Sequence, residues 1–235
     1  MVSLLTRDAG KIKGIAKAAS RSRRRFGGAL EPMTHVLASY AEKPRQELVR
    51  LDSFEILASP LSIPMDYPRA AALAFYTEVL EEALVEHDPQ DAIFRLTLSV
   101  LAETRPGCLI LPVTYFALWM PRLLGWLPSL ARCVRCRQPL REQPEAYYHT
   151  EVDGLLCVEH RLPGARRLRA ESLALAERIL SQPLRALVGE RAICAAAEQG
   201  ASTVASDLRH FATLTLERHL EYRLLSARAL GRIRG

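Results

Sequence analysis

The sequence predicts an α+β protein. A small β-unit over residues 1–62 precedes a mainly helical domain over residues 63–235, which carries an inserted zinc-finger module at 131–162. Three observations lead there. Short β-prone stretches separated by turn residues fill the first sixty positions. After Pro60 and Pro64, apolar residues recur at helical spacing. The segment Cys133-Val134-Arg135-Cys136 is answered twenty residues later by Cys157-Val158-Glu159-His160. Two such pairs have the spacing of a zinc site.

The β-unit begins with Val2-Ser3-Leu4-Leu5-Thr6, a turn at Asp8-Ala9-Gly10 and an alternating stretch from Lys11 to Ala16, which together read as a hairpin. Alternation puts Lys11 and Lys13 on one face and Ile12 on the other. Residues 17–28 then hold four arginines, two serines and two glycines, a basic loop. Further strands are expected at His35 to Tyr40 and Leu48 to Leu57, joined by a turn around Pro44. An oligonucleotide-binding (OB) barrel fits this description, and so do other small barrels.

In the helical part, Leu73, Tyr76, Leu80, Ala83 and Leu84 line one face of a helix that starts near Arg69. Asp91 can cap the next helix, in which Ile93, Leu96 and Val100 align. Leu109 to Trp126 is apolar nearly all round and is expected to be the central buried helix. Within the module, Tyr147 to Thr150 reads as a strand and Asp153-Gly154 as a tight turn. Helices are expected again over Leu168 to Leu180 and Ala201 to Leu230.

The metal pattern has a chemical logic. Cys133, Cys136, Cys157 and His160 offer four soft or borderline ligands, which suits one tetrahedral zinc with every position taken by protein. That is the composition of a structural site. His149 is a competing candidate, but His160 already completes the spacing. The remaining cysteines, Cys108 and Cys194, sit in apolar or alanine-rich surroundings and read as small core residues. Five cysteines so placed are no disulfide framework, and a reducing, cytoplasmic setting is expected. The start carries no basic leader followed by a long apolar core. The longest apolar run, Cys108 to Pro121, is too short to span a bilayer.

Charge is segregated. Arg7 to Arg25 holds eight bases and one acid, Asp52 to Glu103 ten acids and two bases, and Arg105 to the end nineteen bases and twelve acids. The net charge is +6. Basic ends with an acidic middle point to a polyanion partner, nucleic acid in the first place. The sequence has no Walker loop, no dinucleotide fingerprint, no His-Glu-x-x-His helix and no nucleophile motif. Glu81 and Glu82, as helix neighbours without a histidine, point about 100° apart and read as a solvated face. The residues alone therefore describe a non-enzymatic nucleic-acid-binding protein with structural zinc.

The order of features resembles a known family. Val2 to Lys11, Gly14-Ile15-Ala16-Lys17 and Arg25-Phe26-Gly27-Gly28-Ala29-Leu30-Glu31-Pro32 resemble the RecO family of bacterial recombination mediators. So do Leu123-Leu124-Gly125-Trp126-Leu127-Pro128 ahead of the first knuckle and Gly154-Leu155-Leu156-Cys157 at the second. The resemblance implies an OB-like barrel, a helical C-terminal domain and a zinc module. It implies binding of single- and double-stranded DNA, strand annealing, and help in loading RecA on strands coated by single-strand binding protein. RecR and single-strand binding protein are the implied partners. Two departures stand out. The family has a further strand ahead of the Val2 position, so either the start is placed late or this barrel lacks its first strand. His160 stands where cysteine is commoner.

On this reading Lys11, Lys13, Lys17, Arg21, Arg23, Arg24 and Arg25 contact phosphates without sequence readout. Phe26 either stacks on a base or is buried in the barrel. Arg132, Arg135 and Arg137 form a second basic surface beside the zinc. The alternatives are an RNA-binding or ribosome-associated zinc protein and, third, a metal-dependent nuclease using the acids of 52–103.

Overall fold

The computed structural model describes residues 1–17, 26–42, 46–106, 108–190 and 202–231. The chain forms two compact units, Met1–Leu101 and Ala102–Gly235, and the fold is α+β. None of the described helices is long and apolar enough to cross a membrane.

In the first unit, β1 (Val2–Thr6) and β2 (Gly10–Ile15) form the expected hairpin, with Val2 opposite Gly14 and Thr6 opposite Gly10. Strands β3 (His35–Ala41) and β4 (Val49–Ala58) pair antiparallel, with register shifts after His35 and Ser39. The two pairs join where β2 runs parallel to β4 at Gly14–Val49 and Ile15–Arg50. The sheet order is β1-β2-β4-β3. These are the order and directions of strands two to five of an OB barrel. Among the described residues, β1 and β3 are the edges that a further strand would bridge. Ile12, Val49, Leu51 and Phe54 face inward onto Phe26 and Ala29; the extra residue at Asp52, opposite the Ser39–Tyr40 step, brings Phe54 to the same face as Leu51. Phe26 is 2% exposed and meets Phe54 edge to face at 5.4 Å. Its place is thus in the barrel core and not on a base-stacking surface.

Helix α1 (Tyr67–Ala83) starts at Asp66, whose carboxylate accepts from the Arg69 backbone N–H at 2.8 Å, with Pro68 in the first turn. Its buried face includes Leu73, Tyr76 and Leu80 as the periodicity predicts, and Phe75 and Val79 besides. Helix α2 spans Asp91–Glu103 and buries Ile93, Leu96 and Val100. The chain between them returns to β2. The His87 N–H donates to the Lys11 carbonyl at 2.9 Å, and a Cβ at Gly10, whose φ is +69°, would stand 2.4 Å from the Asp88 carbonyl oxygen. Only glycine fits there.

In the second unit, α3 (Ile110–Leu123) is buried over nearly its whole circumference, the central helix its composition predicts. It packs against α4 (Ala170–Ser181) and α6 (Ser202–Leu220), with α5 (Leu184–Gly189) and α7 (Leu225–Leu230) completing the described helices. Trp119 donates its indole N–H to the Ile179 carbonyl at 3.0 Å, a bond that ties α3 to α4. Gly125, at φ +76°, ends the α3 segment, and Trp126 stacks on His219 of α6 at 5.2 Å. Cys108 is buried, as its apolar surroundings predict. The other expected core cysteine, Cys194, lies outside the described residues.

Candidate metal centre and basic surface

The metal module is built from two knuckles and a small sheet. Strand β5 (Glu145–Tyr148) pairs antiparallel with β6 (Arg166–Arg169). Tyr147 also exchanges two backbone hydrogen bonds with Leu156, at 2.8 and 2.7 Å. That pairing fixes Leu155 and Leu156, both fully buried, and so places Cys157. In the first knuckle the Arg137 N–H donates to the Cys133 carbonyl at 2.9 Å, and Arg137 takes a left-handed φ of +64°. The Val134 N–H donates to the Leu155 carbonyl at 2.8 Å, which binds one knuckle to the other. The close approach needs Gly154, where an added Cβ would lie 3.1 Å from Val134 Cβ.

The result is one cluster. The ligand atoms of Cys133, Cys136, Cys157 and His160 all lie within 4.8 Å of one another and could hold a metal ion. Cys136 Sγ is 3.7 Å from Cys157 Sγ, and Cys157 Sγ is 3.2 Å from His160 Nδ1. A disulfide would need about 2.05 Å. A tetrahedral ion with metal–sulfur bonds of about 2.3 Å sets sulfurs about 3.8 Å apart. The donors thus fit a shared ion and not a bridge. Cys133 and Cys157 are buried, and Cys136 and His160 are half-buried. Burial pushes the Cys133 thiol up, but the backbone N–H groups of Cys136, Cys157 and Arg135 outweigh it and bring the pKa down to about 7. Burial pushes Cys157 up, opposed by the His160 N–H. Backbone amides aimed at sulfur are what a thiolate ligand set needs. His149 stays outside the cluster; its Nδ1 accepts from the Glu151 N–H at 3.2 Å.

Helix α6 holds the module from one side. Arg218 donates to Asp153 at 2.9 Å and to the carbonyls of His149 and Thr150 at 2.8 and 3.1 Å. Arg169 pairs with Asp207 at 3.0 Å, and Tyr148 meets Phe211 edge to face at 5.3 Å. The sequence reading did not single out Arg218 or the cavity of about 690 Å³ that it lines with Arg166, His210 and Arg223. Its signal was a charged residue on the face of an otherwise apolar helix stripe. Arg132, Arg135 and Arg137 are all exposed around the first knuckle.

The basic residues of the first unit divide. Lys11 is 8% exposed; its ammonium donates to the Glu81 carbonyl and lies 3.8 Å from the Glu81 carboxylate. Lys13 pairs with Glu86 at 2.6 Å and lies 3.9 Å from Glu81. Both lysines share a face as predicted, and that face meets the acids of α1 and its C-terminal flank. Lys17 is exposed. Arg21, Arg23, Arg24 and Arg25 lie outside the described residues.

Comparison with known proteins settles the relationship. The family model described as "Recombination protein O N terminal" matches residues 1–60, and "Recombination protein O C terminal" matches residues 64–224. The chain belongs to the RecO family of DNA repair proteins. The DNA repair protein RecO of Koribacter versatilis (strain Ellin345) is 46% identical over 99% of this chain and 91% of its own length. That of Anaeromyxobacter dehalogenans (strain 2CP-C) is 35% identical over 99% and 89%. That of Syntrophobacter fumaroxidans is 32% identical over 81% and 75%. Family membership places the chain in DNA repair and recombination, and the resemblance seen in the sequence holds along its length.

Proposed function

We propose that the protein is a cytoplasmic, nucleoid-associated recombination mediator without catalytic activity. It binds single- and double-stranded DNA, anneals complementary strands and helps load RecA on DNA coated by single-strand binding protein, with RecR as its partner. Family membership together with the basic run of Arg7 to Arg25 in the sequence carries the reading. In functional terms residues 1–62 act as the DNA-binding barrel and 63–235 as the helical domain, with the module at 131–162 inserted.

Lys17, Arg21, Arg23, Arg24 and Arg25 contact phosphates, an affinity without sequence preference. Lys11 and Lys13, engaged by Glu81 and Glu86, make weaker contacts. The exposed Arg132, Arg135 and Arg137 offer a second site for phosphate, and two basic sites screen the repulsion between strands being annealed. The ion held by Cys133, Cys136, Cys157 and His160 is one structural zinc. The thiol-rich donor set and the tetrahedral spacing of the sulfurs support zinc over hard cations that prefer oxygen.

The test is annealing of complementary oligonucleotides by the purified protein, with and without single-strand binding protein. Faster annealing in both arms is expected. No acceleration in either overturns the reading, and tighter binding to structured RNA than to single-stranded DNA replaces it with the ribosome-associated one.

A further inference from the structure

The acidic middle of the chain has two uses in the structure. Glu81, Glu86 and Asp91 face inward to the N-terminal hairpin, where they meet Lys11, Lys13 and Arg7. Glu82 of the same middle and Glu31 from the first sixty residues are exposed on another surface. They stand on the rim of a groove of about 600 Å³ on the outer side of α1.

Its floor is apolar. Leu61 and Met65 remain 56% and 40% exposed, and the exposed Ala74, with the edge of the buried Leu73, continues the surface along the helix. The lining positions 70, 73, 74, 77, 78, 81 and 82 form one stripe of α1. At 1.5 Å per residue that stripe runs about 18 Å, the length of a three-turn helix. The groove is graded, apolar near Pro60 and acidic toward the C-terminal end of α1, where the helix dipole adds negative potential.

We propose that this groove docks a basic amphipathic helix of a protein partner. Apolar anchors at helical spacing fill the floor, and lysines or arginines meet Glu31 and Glu82. Exposed leucine and methionine side chains in a concave setting are what helix-in-groove recognition uses. The charge selects the occupant: an acidic rim repels DNA and acidic peptides and attracts a cationic helix. The groove adjoins the proposed DNA-contacting hairpin at Glu81, which lines it and pairs with Lys11 and Lys13, so the test leaves Glu81 in place.

The experiment uses the full chain and a fluorescein-labelled fourteen-residue lysine–leucine peptide with leucines at i, i+3, i+4 and i+7. Controls are its scrambled isomer and a glutamate–leucine counterpart. Anisotropy is expected to show binding of the patterned cationic peptide at least tenfold tighter than either control. Hydrogen exchange is expected to slow over residues 60–82. The surface variant Glu31→Lys/Glu82→Lys is expected to lose at least tenfold in peptide affinity while keeping its melting temperature and its affinity for single-stranded DNA. No binding, equal binding of the scrambled peptide, protection elsewhere, or full affinity in the variant overturns the proposal. A dimer that Leu61→Asp converts to monomer overturns it in favour of a second copy of this chain.

Discussion

Lys11 Nζ lies 3.8 Å from the Glu81 carboxylate and donates to the Glu81 backbone carbonyl, so one residue of α1 takes up the charge of a buried lysine. The pair joins the barrel hairpin to α1 within the first unit. Replacing Lys11 by methionine removes the donor and keeps the stem. Stability is expected to fall by about 1–3 kcal/mol, as for losing a charge-assisted bond in a buried setting. DNA affinity is expected to change less than threefold. Urea denaturation and a DNA titration on the same preparation decide between the roles: a large loss of DNA affinity at unchanged stability makes Lys11 a phosphate contact.

The arginine-rich segment carries the opposite expectation. Arg23→Ala/Arg24→Ala/Arg25→Ala should leave the melting temperature unchanged and weaken DNA binding. Three lost phosphate contacts reduce the slope of log K against log salt by about 2 for single strands and nearly 3 for duplex. Titrations across a range of salt concentrations check this; a slope equal to that of the natural chain removes the segment from the interface.

Much of this architecture was legible because it rests on local patterns. Alternation fixed the faces of β2, and the 3.6-residue period fixed much of the buried side of α1. The cysteine spacing named all four members of the cluster, since a knuckle is a local turn. What was not legible is long-range. The parallel pairing of β2 with β4 joins residues about 35 apart. The engagement of Lys11 and Lys13 by Glu81 and Glu86 depends on α1 folding back to the hairpin. Composition placed bases and acids in separate blocks but could not say which of them meet. Arg218 was passed over for a similar reason: its partners, Asp153 and two carbonyls, lie about 65 residues away.

The metal centre predicts an ordered series. Cys136→Ser and His160→Ala should each lose stoichiometric zinc and lower the melting temperature by several degrees; about 2 kcal/mol corresponds to roughly 4–8 °C for a chain of this size. His160→Cys should keep the metal, because a fourth thiolate satisfies the same tetrahedron. Metal analysis and thermal unfolding check the series. Retained zinc in both losing variants would mean that the ion sits elsewhere.

Arg218 links α6 to the loop of the metal module through three acceptors. Arg218→Ala strands the two carbonyls and the Asp153 carboxylate and should cost about 1–3 kcal/mol. Arg218→Lys, a point charge without the fork, should recover only part of that. Zinc content is expected to stay at one equivalent in both, since Arg218 touches no ligand. Hydrogen exchange should quicken at residues 149–154 first.

The pH dependence turns on His210, which lies beside the Tyr148 ring at 6.0 Å on the cavity it shares with Arg166 and Arg218. Burial, with the Arg166 charge behind it, pushes the imidazole below its ordinary 6.5. The unfolded chain therefore binds more protons than the folded protein just below pH 6.5, and stability falls as the medium is acidified through that window. Asp207 works the other way. Burial raises its carboxyl above 3.8, so the folded protein takes up its proton first and acid favours folding through that lower window. His210→Phe should flatten the loss of stability between about pH 7 and pH 5.5, and Asp207→Asn should leave that upper limb in place. Urea midpoints measured across that interval check both. An unchanged slope in His210→Phe would assign the acid sensitivity to another group.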